Sequence, residues 1–106
     1  MNLENILTQI KKLARSENMR LTQHAQQEMV EENITLDEVL QSISNGQILE
    51  NYPEHKRGSC CLVYGVSHDG RPMHIVCTSG DPILIIITVY EPKAPKWLSP
   101  TQRRPR

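Results

Sequence analysis

The spacing of the apolar residues changes once along this chain, near residue 47, and that change restricts the folds it can adopt. Before residue 47, apolar residues recur every three or four positions, as on the buried face of a helix. After it, apolar and polar residues alternate, as in strands with one buried face. A block of helices followed by a block of strands predicts an α+β domain, with N-terminal helices packed on an antiparallel β-meander of about four strands.

Three short helices are predicted in the first block. Apolar residues at helical spacing predict the first helix over about residues 3–16. Thr22 is a suitable N-cap for a second helix, which places His24 in the first turn of that helix. Thr35 and Glu38 have the spacing of a capping box and therefore predict the start of a third helix.

The second block contains four predicted strands between about Gln47 and Tyr90, namely QILENY, CCLVYGVS, PMHIVCTS and ILIIITVY. The last of these is rich in β-branched residues and is predicted to be a central strand. Residues 19–21, in the helical block, are predicted to be only a brief extended link. The four prolines between residues 91 and 106 predict an irregular end of the chain.

The dipeptide Asp69-Gly70 predicts a two-residue hairpin turn, and this turn sets the register of the strands beside it. In that register Gly65 lies opposite His74, which then lines a shallow depression on the less covered face. Alternatively, Gly65 marks a bulge or bend and His74 is an ordinary strand residue. The helices are expected to cover the more apolar face of this hairpin, which carries Leu62, Tyr64, Val66, Met73, Ile75 and Cys77.

Length and charge predict one domain over residues 1–97 and a basic, Pro/Arg-rich tail over residues 98–106. The chain has 12 acidic and 12 basic residues. Residues 1–50 carry eight acids and four bases, and residues 51–106 carry four acids and eight bases, so the halves differ in sign. The basic end is either a solvated tail or a surface that docks phosphate or an acidic partner.

The composition predicts a cytoplasmic protein. No apolar run reaches the roughly 18 residues of a membrane span, and the N-terminus lacks the pattern of a signal peptide. The three cysteines are an odd number, with Cys60 and Cys61 adjacent, and are predicted to be buried apolar residues rather than a disulfide framework. Without a CxxC or HxxxH spacing, no metal site and no cofactor are predicted.

Residues 21–97 resemble the bacterial family called domain of unknown function 4258. The segments that carry the resemblance are "TQHAQQEM" with Thr22, His24-Ala25 and Met29, "ITLDEV", "GQILENYP", a Cys-Leu strand that ends in Gly65, "PMHIV", "TVYEP" and Trp97. The chain departs from the family pattern at Glu28 and Glu32, where arginines are expected. If those arginines bind RNA phosphate in relatives, two favourable charges are reversed here.

The resemblance implies a context and an activity. Members of the family resemble toxins of bacterial type II toxin–antitoxin systems, paired with a zinc-finger or helix-turn-helix antitoxin. Their order of helices and strands resembles the RelE-like, barnase–EndoU–colicin–RelE class of metal-independent ribonucleases. That resemblance implies an endoribonuclease acting on mRNA, on or off the ribosome, although a fold alone does not fix a function.

Candidate residues for such chemistry are present. RNA cleavage without a metal needs a base, an acid and cations near the phosphate. His24, His74 and Tyr90 are the predicted catalytic residues, converging on a shared cleft. The predicted substrate-binding residues are Arg57, Thr88, Lys93 and Lys96.

Three interpretations remain open at this stage. The chain is a ribonuclease toxin, a non-catalytic RNA- or protein-binding module of the same fold, or a protein that only pairs with an antitoxin or another chain. Each candidate also has a structural alternative: His24 as a surface histidine, His74 as a strand residue, and Trp97 as an anchor of the tail rather than a ring that stacks on a base.

Overall fold

Three helices and a five-stranded mixed sheet make up the body of the protein, as seen in a computed structural model that describes residues 2–54, 58–78, 82–94 and 96–105. The helices are α1 (Leu3–Arg15), α2 (Gln23–Glu32) and α3 (Leu36–Ser44). The strands of the main sheet are β1 (Met19–Leu21), β2 (Gln47–Tyr52), β3 (Cys60–Val66), β4 (Pro72–Thr78) and β5 (Leu84–Tyr90). A small separate hairpin follows, made of β6 (Trp97–Ser99) and β7 (Gln102–Arg103).

The helix starts agree with the sequence-based prediction because their signals are local. The Thr22 side chain accepts a hydrogen bond from the amide of Ala25, so α2 begins where predicted and His24 lies in its first turn. Thr35 and Glu38 form both hydrogen bonds of the capping box at the start of α3. α2 ends at Asn33, which adopts the left-handed conformation with φ 56° and closes the helix.

The sheet has the strand order β1-β5-β4-β3-β2, with β2 to β5 antiparallel and β1 parallel to β5. The predicted α+β class is confirmed, but the sheet has a fifth strand, β1, and is therefore mixed rather than entirely antiparallel. Residues 19–21 form a strand rather than a link, because the amide of Leu84 donates to Asn18 O and the amide of Thr22 donates to Ile86 O. This pairing joins residues more than 60 positions apart, which local spacing does not reveal.

The register of the β3–β4 hairpin differs by one residue from the prediction. The Ser67 amide donates to the carbonyl of Arg71, which leaves a three-residue loop rather than a two-residue turn. Gly70 takes a positive φ of 85° in this loop. A one-residue shift moves every side chain of a strand to the other face. His74 therefore lies opposite Tyr64, and Gly65 lies opposite Met73.

The helices cover the face of the sheet that carries Gly65, so the predicted covered face is wrong for β3. The buried residues shared by the helices and this face are Ile6, Ile10, Leu13, Ala14, Ala25, Ile34, Val39, Ile43, Cys61, Val63, Met73, Ile75, Cys77, Leu84, Ile86 and Val89. α3 passes so close to β3 that a Cβ added at Gly65 would lie 1.8 Å from the carbonyl oxygen of Ser42. The absence of a side chain at Gly65 thus permits this helix–sheet contact.

β1 pairs only with the first part of β5, up to Ile86. Beyond that point, side chains of α2 cover the same edge of β5. A carboxylate oxygen of Glu28 accepts a hydrogen bond from the amide of Val89, and one of Glu32 accepts from the amide of Glu91. Both glutamates are on α2, one turn apart. Glu28 and Glu32 therefore satisfy backbone donors at an open strand edge.

The end of the chain is more regular than predicted. β6 and β7 pair with each other, and β6 spans the predicted boundary between residues 97 and 98. Trp97 is buried in this hairpin. None of the helices in the described ranges has both the length and the apolar character needed to cross a membrane.

Replacing Gly65 with alanine tests the close approach of α3 to β3. We expect Gly65→Ala to lower the free energy of unfolding by about 3 kcal/mol or more, because a backbone carbonyl occupies the space of the new methyl group. Gly70→Ala is the matched control, since it meets no atom within 4 Å and carries only the strain of a positive φ, about 1–2 kcal/mol. Urea unfolding measures both values, and a cost at Gly65 no larger than at Gly70 would contradict the close contact.

Replacing Glu28 with alanine tests the cover of the β5 edge. We expect Glu28→Ala to cost about 1–3 kcal/mol of unfolding free energy, because it leaves the amide of buried Val89 without its acceptor. Glu31→Ala removes an exposed carboxylate from the same helix and should change stability by no more than about 0.5 kcal/mol. Hydrogen exchange at the Val89 amide should be faster in Glu28→Ala and unchanged in Glu31→Ala, which would place the loss of stability at the edge of β5.

Candidate functional site

The face of the sheet opposite the helices collects several polar and aromatic side chains. The strand register aligns Tyr64, His74 and Tyr90 in one row across β3, β4 and β5. The next row runs from Glu50 on β2 through Leu62 and Val76 to Thr88 on β5. Three of the predicted site residues, His74, Tyr90 and Thr88, therefore share one face.

Two strand irregularities decide which side chains point to this face. The pairing of β2 with β3 shifts between Ile48 and Glu50, so that Glu50 lies opposite Leu62. The pairing of β4 with β5 shifts between Val76 and Cys77, so that Thr88 lies opposite Val76. A bulge reverses the alternation of side chains beyond it. Glu50 thus reaches the polar face because of the shift in β2.

His74 lies at the centre of this face and is 0% exposed, which excludes the predicted shallow depression. Its Nε2 is 2.6 Å from the carbonyl oxygen of Pro100, and its Nδ1 is 3.1 Å from the hydroxyl of Tyr90. Because a carbonyl only accepts, Nε2–H is the donor to Pro100, and in the neutral ring Nδ1 accepts from Tyr90. Burial lowers the pKa of His74, which favours this neutral form.

Tyr90 is held in its protonated form. Burial raises the pKa of its hydroxyl, so that it is a hydrogen-bond donor at neutral pH. The indole Nε1–H of Trp97 is close enough to lower that pKa in part, yet it lacks the geometry of a hydrogen bond. Among the described residues, Trp97 Nε1 is a buried polar atom without a hydrogen-bond partner. Such an atom costs about 1–3 kcal/mol.

The C-terminal hairpin lies over His74. The Trp97 ring meets the His74 ring edge-on, with centroids 4.3 Å apart. The guanidinium of Arg103 covers the Trp97 ring at 4.6 Å from its centroid. The same guanidinium binds the carboxylate of Glu50 through two nitrogens, at 2.7 and 3.1 Å. This ion pair lowers the pKa of Glu50, which also accepts a hydrogen bond from the hydroxyl of Tyr52.

The structure does not bring His24 to this cluster. Its side chain is 65% exposed, and its Nε2 lies 3.3 Å from Glu28 Oε1. α2 packs on β5 from the helical side of the sheet, whereas His74 lies on the opposite side. In the part of the chain that is described, no hydrogen bond or ion pair joins His24 to His74 or Tyr90.

Two of the predicted basic residues, Lys93 and Lys96, lie between β5 and the C-terminal hairpin. Lys93 and Lys96 are exposed, and Lys96 is near enough to contribute to the lowered pKa of His74. Arg57 falls outside the described residues. Within those residues, no group of three His, Cys, Asp or Glu side chains is arranged to hold a metal ion.

Glu50, Tyr64 and Arg103 belong to this face, and sequence analysis missed them. The two-residue turn predicted Tyr64 on the other face, and no face was predicted for Glu50, whose orientation depends on the bulge in β2. Arg103 was counted among the tail charges, because nothing in the spacing of residues 97–103 specifies a hairpin. The usable signal was Trp97, a single large apolar ring in an otherwise polar end of the chain.

The buried state of His74 predicts a dependence of stability on pH. Since its folded pKa is lowered, the unfolded chain takes up this proton first as the pH falls. The contribution of neutral His74 to the free energy of unfolding is fully present above about pH 6.5. It decreases as the pH falls towards the pKa of His74 in the folded protein. From pH 7 to 5.5, we expect wild type to lose up to about 1.4 kcal/mol per pH unit.

Urea unfolding at each pH measures this slope, with two glutamine variants as a matched pair. His74→Gln should remove the dependence, and His24→Gln, which replaces an exposed histidine, should keep it. A slope that persists in His74→Gln would mean that another group controls the stability in this range.

Comparison with known proteins identifies the family. A family model described as a domain of unknown function (DUF4258) matches residues 21–91, more than half of the chain. Searches of curated proteins and of solved structures found no match. The matched segment contains α2, α3 and β2 to β5, and with them His24, His74 and Tyr90. The chain therefore belongs to the DUF4258 family.

Proposed function

We propose that this protein is the toxin of a bacterial type II toxin–antitoxin pair and cleaves mRNA as a metal-independent endoribonuclease. The observation that carries the proposal is the contact of His74 Nδ1 with the Tyr90 hydroxyl, at 3.1 Å, on a sheet face that also holds Thr88 and Glu50. A neutral imidazole beside a protonated phenol provides both a proton acceptor and a proton donor.

The proposed reaction is an attack of the ribose 2′-oxygen on the adjacent phosphorus. In the tautomer with Nδ1–H donated to the Tyr90 oxygen, His74 Nε2 presents its lone pair where the Pro100 carbonyl now lies. Nε2 takes the proton of the 2′-hydroxyl, and the new bond to phosphorus forms as the bond to the 5′-oxygen breaks. Tyr90 gives its proton to that oxygen, and water restores the starting protonation of both residues. The products are a 2′,3′-cyclic phosphate and a free 5′-hydroxyl.

Neighbouring residues support RNA binding. Lys93 and Lys96 are exposed beside the site and are proposed to contact phosphate, together with Arg57. Thr88 lies in the adjacent row of the same face, where its hydroxyl is proposed to contact ribose or phosphate. The α+β arrangement, with helices on one face and polar residues on the other, supports the proposed RelE-like relationship.

A second candidate function is that of a non-catalytic module that binds RNA, an antitoxin or another protein. The observation in its favour is that His74 is fully buried with both ring nitrogens hydrogen-bonded, as in a structural histidine. In that case Tyr90 serves only to hold the ring. Removal of the Tyr90 hydroxyl separates the two functions.

Tyr90→Phe removes one oxygen atom and keeps the ring that packs on His74. We expect it to abolish growth inhibition on induction in a bacterium and to lower RNA cleavage by the purified protein at least about 10²-fold. Tyr52→Phe is the matched control, because it removes a hydroxyl that bonds Glu50 and not His74. Transcripts are followed by primer extension. Absence of cleavage by both wild type and Tyr90→Phe would favour the binding module, and equal cleavage by both would remove Tyr90 from the catalytic group.

His24→Ala tests the remaining predicted catalytic residue. The proton chemistry proposed for His74 and Tyr90 does not require His24, whose only polar partner among the described residues is Glu28. We therefore expect His24→Ala to retain cleavage and, because the side chain is exposed, to change stability by no more than about 0.5 kcal/mol. Loss of cleavage without loss of stability would return His24 to the catalytic group.

A further inference from the structure

The C-terminal hairpin is attached to the sheet by few interactions. β6 and β7 form their own two-stranded sheet, and among the described residues no backbone hydrogen bond joins them to the five-stranded sheet. In the described part of the chain, the attachments are made by side chains. The Trp97 ring packs on His74, His74 bonds the Pro100 carbonyl, and Arg103 forms an ion pair with Glu50. Leu98 on the same hairpin is exposed. The cover of His74 thus depends on a small set of side chains.

The face of the Trp97 ring is covered by the guanidinium of Arg103, a contact that proteins also use to hold a nucleobase. The His74 ring meets the Trp97 ring edge to face, at an interplanar angle of 82°. Stacking on aromatic rings and on Arg is the common mode by which single-stranded RNA bases are bound. The one polar atom of the ring, Nε1, is not hydrogen-bonded within the described residues. The site therefore accommodates the shape of this ring without using its donor.

We infer that the hairpin is a strap that closes an RNA-binding site, and that Trp97 occupies the place of a base of single-stranded RNA. The base site lies on the ring of His74, which Tyr64 and Tyr90 in turn contact edge-on. This inference rests on the proposed function, because it names the occupant of the same site. When the hairpin lifts, the Pro100 carbonyl leaves Nε2 of His74, and the base takes the position of the indole.

Arg103 holds the strap in its closed position, and its two contacts are called the latch below. Its guanidinium contacts both the Glu50 carboxylate on β2 and the Trp97 ring, so that it fastens the hairpin to the edge of the sheet. Both partners of the ion pair are partly exposed, at 39% and 28% of their side chains. An exposed pair contributes little to stability, so its loss should change the balance of closed and open states only about two- to five-fold.

The chain contains one tryptophan, and its fluorescence therefore reports the position of the strap directly. We expect Arg103→Ala to shift the emission of Trp97 to longer wavelength and to increase its quenching by acrylamide, with the far-UV circular dichroism unchanged. Arg104→Ala is the matched control: it removes the same charge from the neighbouring residue, whose side chain is exposed and makes no ion pair in the described part of the chain. Its emission should equal that of wild type.

The second measurement adds a labelled single-stranded oligoribonucleotide of about 12 nucleotides. We expect RNA to move the wild-type Trp97 emission towards that of Arg103→Ala, because the base displaces the ring. Arg103→Ala should bind this probe about two- to five-fold more tightly than wild type, in proportion to the released latch. Arg104→Ala should bind no more tightly than wild type.

The outcomes separate this inference from the proposed function. RNA that is bound or cleaved by wild type while Trp97 remains buried would overturn the strap and leave the ribonuclease standing. An unchanged Trp97 emission in Arg103→Ala would likewise overturn the role of the latch. If Arg103→Ala frees Trp97 but neither protein binds the oligoribonucleotide, then RNA is not the occupant, and the proposed function fails with it.

Discussion

The close approach of α3 to β3 at Gly65 is the constraint on which the rest of this structure depends. Because no side chain lies between Gly65 and the carbonyl of Ser42, the helix can rest directly on the strand and fix which face it covers. Alternation then turns Tyr64 to the opposite face, and pairing with β4 brings His74 beside it. The location of the proposed site is thus a consequence of a packing contact on the other side of the sheet.

Local signals in the sequence predict where the helices begin, whereas the pairing of distant segments leaves no local signal. The Thr22 cap and the Thr35–Glu38 capping box act over three residues, so their helices begin where expected. The hairpin register depends on whether two or three residues close the loop, and Asp69-Gly70 fits both. The parallel pairing of β1 depends on a strand far along the chain, and the orientation of Glu50 depends on a bulge. As a result, His74 and Tyr90 were selected for their chemistry, while their contact could not be derived from spacing.

On the polar face, His74 and Tyr90 form a buried hydrogen-bonded pair. The C-terminal hairpin covers this pair but leaves one buried polar atom of its own without a hydrogen-bond partner in the segments that the structure describes. His74 has a partner on each ring nitrogen, which offsets the cost of burying a polar ring. The indole Nε1–H of Trp97 has no partner among the described residues, at a cost of about 1–3 kcal/mol to the closed arrangement. The cation–π contact of Arg103 and the exposed ion pair with Glu50 contribute amounts of similar size. In the described part of the chain, the hairpin is thus joined to the sheet through side chains and not through backbone pairing.

The carboxylates that cover the β5 edge bear on how this family can vary in sequence. Glu28 and Glu32 work at that edge because a carboxylate accepts hydrogen bonds from the amides of Val89 and Glu91. A guanidinium has five donors and no acceptor, so arginine cannot replace either glutamate in this role. A relative with arginines there must cover the same amides with another residue or leave an edge open to pairing between chains. Exchanging the two residues one at a time between such chains should therefore be harmful unless the facing strand changes with them.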